Sequence, residues 1–172
     1  MFDKDDLDYV IDWYFTYWVD SIYSAGCEIF EQKFDIEPTC KESAEIFLAL
    51  FKRLVDEGII LVLPPIKGEP TKKVPNDIAN DDFWDVSSDK MIEYIRSVMP
   101  KDLRYLDDTF HSKDDIKIET DKNGNTKWYK WYDENRQIQH FSTSSDFVCD
   151  KFWYSDCPWI RWVDKNDKNK VY

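Results

Sequence analysis

The chain has 172 residues and a mass of 20.7 kDa, which fits one domain, or two tightly joined small ones, and leaves no room for a modular enzyme. Thirty-five acidic against 23 basic residues give a formal charge of −12, so the surface repels phosphate backbones and direct nucleic-acid binding is disfavoured. With 42% hydrophobic and 17% aromatic residues the charge does not signal disorder, and the composition is that of a folded acidic domain.

The first residues, Met1 to Asp8, lack the basic and apolar regions of a secretory signal. From about Asp5 to Ser24, Leu7, Ile11, Tyr14, Trp18 and Ile22 recur at helical spacing, widened by Val10, Phe15, Tyr17 and Val19, and predict one helix. Asp3, Asp5, Asp6 and Asp8 fall in or before its first turn, where carboxylates suit the positive end of the helix dipole. A second helix is marked by Thr39 and Glu42 as a capping box, by Ala44, Phe47, Leu48, Phe51, Leu54 and Val55 as its apolar face, and by Gly58 as its stop.

Ile59 to Leu63 then reads as a short buried strand ended by Pro64 and Pro65, far below the roughly 20 apolar residues that span a bilayer. Residues 64–82 hold four prolines and predict an exposed connection or lid. A third helix runs from near Ser88 to Met99, with Met91, Ile92, Ile95 and Val98 inward, and Leu103, Leu106 and Phe110 extend it by a turn. Beyond Asp114 the pattern becomes extended. Residues 116–120 and 126–132 flank an Asn-Gly turn and predict a hairpin, and 137–141, 147–154 and 159–163 add strands before a polar turn at 164–170. The order predicts a single α+β domain, a helical half over about 1–112 followed by an antiparallel sheet half over about 113–172.

Residues 1–60 contain 14 acids and 5 bases, a net −9, whereas residues 101–172 contain 14 and 13. A basic partner steered by the field therefore meets the helical surface or its border first. With 35 carboxylates some pairs are inevitable and identify no acid–base catalyst. His111 and His140 sit in no metal-ligand pattern, Cys149 and Cys157 lack zinc-ribbon spacing, and Asp121 with Asn123 reads as turn chemistry rather than a calcium loop. Four glycines supply neither a GxGxxG nor a P-loop, so no cofactor or metal is expected and no catalytic residue is assigned. Cys27, Cys40, Cys149 and Cys157 read as free thiols of a cytoplasmic protein.

The aromatic runs Trp128–Tyr132 and Phe152–Trp162 fit either a sheet packed on both faces or a platform for sugar or protein. Phe83 and Trp84 stand among Asp81, Asp82 and Asp85, either tucked inward or offering an aromatic anchor. The second option makes Asp81, Asp82, Trp84 and Asp85, joined by Asp107, Asp108, Asp114 and Asp115, the expected partner-binding patch.

The run FLALFKRLVDEGIILVL (Phe47 to Leu63), the proline-rich connection and the terminal FWYSDCPWIRWVD (Phe152 to Asp164) resemble a small bacterial family without an assigned activity. They are also similar to the immunity proteins of contact-dependent growth inhibition and related polymorphic toxin systems. The resemblance extends from the second helix to the C-terminus and its motifs are structural, so it carries over no catalytic residue. It implies a cytosolic, non-enzymatic protein that binds the toxic C-terminal domain of a matching effector, with neither membrane nor nucleic acid as a direct partner. An acidic protein can imitate the phosphate bound by a basic nuclease toxin. The alternative is a small carbohydrate- or protein-binding module that uses the sheet aromatics.

Overall fold

The computed structural model describes residues 2–74, 77, 80–101, 103, 149, 151–167 and 170–172, and the strand backbone of 116–120, 126–131 and 138–142. The fold is α+β, with helices preceding most of the strands.

Helix α1 (Lys4–Tyr14) starts at Asp3, whose carboxylate accepts the Asp6 N–H while the Asp6 carboxylate accepts the Asp3 N–H. The buried Asp6 carboxylate is also paired with Lys33 of α2 (Asp20–Phe34) at 2.5 Å, which offsets the cost of taking its charge out of water. The single helix expected over 5–24 is thus two. Thr16 adopts φ 71° between them, and the left-handed residue turns the chain by a conformation that sequence spacing does not reveal.

Helix α3 (Cys40–Asp56) begins on the predicted Thr39–Glu42 capping box, and Gly58, at φ 67°, leads the chain out of it. Its Phe47, Leu50, Phe51 and Leu54 are fully buried against α2 and the strand that follows. That strand, β1 (Ile60–Val62), buries Ile60 and Val62 by alternation. The connection after it is partly ordered by β2 (Thr71–Lys72), which pairs antiparallel with β3 (Phe83–Trp84). Helix α4 (Ser88–Val98) follows, capped by Ser87, with Met91 and Ile95 inward as predicted and Leu103 buried beyond it. Leu106, Phe110 and His111 lie outside the described residues.

Strands β4 (Ile116–Thr120), β5 (Thr126–Trp131) and β6 (Ile138–Ser142) form one antiparallel sheet in that order, with Thr120 opposite Thr126. The Asn-Gly turn of 121–125, and the side chains of Trp128, Tyr129, Trp131 and His140, lie outside the described part.

The C-terminal segment departs from a separate sheet half. Residues 147–154 were expected as a strand, yet Phe152–Asp156 is a π-helical turn closed by the Cys157 N–H on the Phe152 carbonyl at 2.7 Å. Burial explains it: Phe152 and Trp153 enter the helical core, where the Trp153 ring meets Tyr23 and Phe47 edge-on at 5.5 and 5.2 Å. Strand β7 (Ile160–Trp162) then pairs antiparallel with β1, Ile60 opposite Trp162 and Val62 opposite Ile160.

Candidate functional site

The expected acidic patch is assembled differently from its sequence reading. Trp84 is 3% exposed: its ring packs edge-on against Tyr94 at 5.7 Å and its indole N–H donates to Glu69 Oε2 at 3.0 Å. It offers no aromatic anchor, and Phe83 beside it is buried too. The neighbouring acids are met within the chain: Asp81 by Arg161 at 2.8 Å, Asp82 by Lys73 at 3.1 Å and Asp85 by Lys72 at 3.2 Å. Asp107, Asp108, Asp114 and Asp115 lie outside the described residues.

Exposed rings gather instead at the corner between α1 and α2. Trp13 is 70% exposed, Trp18 56% and Trp159 46%, with Tyr17 and Tyr172 also on the surface. Trp18 meets Trp159 edge-to-face at 5.3 Å, and ring contacts at 6.3–6.4 Å run from Trp13 through Tyr9 and Tyr14 to Tyr17. Thr16, Tyr17, Trp18, Trp159, Arg161 and Tyr172 wall a cleft of about 190 Å³.

The fold fixes this corner from several sides. The buried Trp162 donates its indole N–H to the Tyr17 carbonyl at 2.8 Å and packs on Phe15. Ser21 Oγ–H donates to the Trp18 carbonyl at 2.5 Å. The Leu63 N–H donates to the Trp159 carbonyl at 2.8 Å, and Tyr172 and Trp162 exchange two backbone hydrogen bonds at 2.9 Å. A backbone held in this way loses little further freedom when a partner covers the rings it carries.

Asp5 and Asp8 on α1 and Glu31 on α2 have no cation of the described residues within ion-pair distance, and Asp12 is paired with Lys165 at 2.9 Å. Glu28 accepts the Tyr9 hydroxyl at 2.8 Å, and burial together with that carboxylate raises the phenol. Asp20 is raised by burial, against the lowering effect of the Ser21 N–H. Burial also pushes the Cys27 thiol up, with Glu31, Glu28 and Glu37 adding to it, and Cys157 is raised well above the ordinary thiol range by burial. Neither is an activated nucleophile. No group of His, Cys, Asp or Glu that could hold a metal occurs among the described residues, and no helix there is long and apolar enough to cross a membrane.

Sequence reasoning missed the corner because Tyr17 and Trp18 extend an apparent inward stripe, and Trp159 sits in an apparent strand cluster. The signal available was an excess of large aromatics at 14–18 over what one helix face can bury.

No protein-family model and no curated protein matches the chain. Among solved structures it is similar to an uncharacterized protein conserved in bacteria, from Neisseria meningitidis, at 14% identity and a TM-score of 0.48, over 98% of this chain and 84% of the other.

Proposed function

We propose that the protein is a cytoplasmic, non-enzymatic inhibitor that binds and neutralises a basic toxin domain, in the manner of the immunity proteins its sequence resembles, and that the aromatic corner is its contact surface. The observation that carries the reading is the exposed set Trp13, Tyr17, Trp18, Trp159 and Tyr172, anchored from below by Trp162. Large exposed rings beside polar groups are what interface hot spots are made of. The acidity of the helical half supports a basic partner, since complementary charge raises the rate of encounter.

The test is calorimetric titration with the product of the neighbouring gene, together with growth rescue when both are expressed. We expect a tight complex and rescued growth. Trp18→Ala with Trp159→Ala should weaken the complex by about 30-fold or more, because truncating a hot spot costs about 2 kcal/mol or more. Failure to bind the neighbouring product overturns the proposed activity, and a complex that the double variant leaves unchanged overturns the contact surface.

A further inference from the structure

The outward face of α1 specifies more than a basic partner. Asp5, Asp8, Tyr9, Asp12 and Trp13 are spaced by three and four residues, which sets them along one side of the helix, opposite the buried Leu7 and Val10. Trp13 stands farthest into solvent of all the described large hydrophobic side chains. Its ring centroid lies 6.4 Å from that of Tyr9 with the planes at 40°, and Tyr9 is pinned from α2 through its bond to Glu28. Lys165 pairs with Asp12 at 2.9 Å, so the open charge of the face is that of Asp5 and Asp8, neither of which has an ion-pair partner among the described residues. On the linker, by contrast, Asp81, Asp82 and Asp85 are each met by a cation of the chain itself.

Charge complementarity thus selects a cation for this face, and the indole selects which cation. A guanidinium is flat, weakly hydrated and able to lie on a ring while its in-plane N–H groups reach carboxylates. An ammonium is attracted by the same charge but is a strongly hydrated point without a stacking surface. We infer that the Asp5–Asp8 and Tyr9–Trp13 face of α1 docks an arginine-rich segment of the protein partner, with a guanidinium on the Trp13 ring and the Asp5 and Asp8 carboxylates accepting from its N–H groups. The inference rests on the proposed function for the existence of that partner and adds the chemistry of the segment that meets α1.

The test uses two synthetic nonapeptides, one alternating arginine with glycine and one alternating lysine with glycine, titrated calorimetrically into the full chain at 150 mM salt. The arginine peptide is expected to bind about fivefold or more tightly than the lysine peptide. Trp13→Ala, at an exposed position, should abolish that preference while circular dichroism stays unchanged, and Asp5→Asn with Asp8→Asn should weaken both peptides. Trp18→Ala with Trp159→Ala should leave the preference intact. Equal affinity for the two peptides, or a preference that survives Trp13→Ala, overturns the inference. Because the peptides are scored without the toxin domain, its failure is distinguishable from failure of the proposed function.

Discussion

Gly26 of α2 lies against α3, and a Cβ there would stand 2.8 Å from Cγ2 of Ile46. That methyl is attached to a β-branched carbon on a helix and cannot swing aside. Alanine gains about 1 kcal/mol of helix propensity over glycine, but overpacking costs about 1–3 kcal/mol. Gly26→Ala is therefore expected to destabilise the protein by up to about 2 kcal/mol in urea unfolding, and Ile46→Leu, which removes the obstructing methyl, to restore part of the loss. A Gly26→Ala chain as stable as wild type would show that the two helices separate freely. Asp20 illustrates the opposite sign of a carboxylate's contribution. Burial holds its pKa above the ordinary 3.8, so it favours the folded state when protonated. That contribution is fully present below the unfolded pKa and is lost as pH rises through the folded one. Asp20→Asn keeps an acceptor for the Ser21 N–H at 3.1 Å and should raise the melting temperature at pH 7, with the gain shrinking below about pH 4. A lower melting temperature at pH 7 would show that the carboxylate's place at the positive end of α2 outweighs its burial.

Among the elements, α3 was the most legible, because capping box, periodicity and terminal glycine all act within a few residues of one another. The break after α1 was not: Leu7, Tyr14, Trp18 and Ile22 keep helical spacing straight across it, and a threonine at φ 71° carries none of the warning that a glycine would. Holding a β-branched residue there costs about 1–3 kcal/mol, which Trp162 and the strand beneath it sustain. The strap of β2 and β3 shows what charge alone leaves out of a site assignment. Its acids were legible, but the lysines that meet them come from the facing strand and loop, and the pairing depends on register. Asp82→Asn with Asp85→Asn removes only exposed pairs, so stability should change by less than about 1 kcal/mol each and partner affinity by less than about twofold. A tenfold loss of affinity in the folded variant would return the partner site to the strap.

For the whole molecule, the α+β class followed from the order of the patterns, whereas the pairing of β1 with β7 did not, because no local signal specifies a partner strand about a hundred residues away. The charge of −12 acts at this scale as well. Association with a basic partner should slow by about tenfold or more between 20 and 500 mM salt while dissociation changes little, since screening weakens long-range steering and leaves close packing intact. A flat association rate in stopped-flow measurements would remove steering from the account. The β1–β7 pair also sets a clock. Ile60 and Val62 leave the ribosome with one strand edge open, and Trp162, which closes it and props the corner through Tyr17, is made only after about a hundred further residues, some 5–20 seconds at ordinary rates of synthesis. A half-made chain therefore presents neither a sealed interior nor a finished surface, and only copies whose translation has run through β7 carry the closed corner.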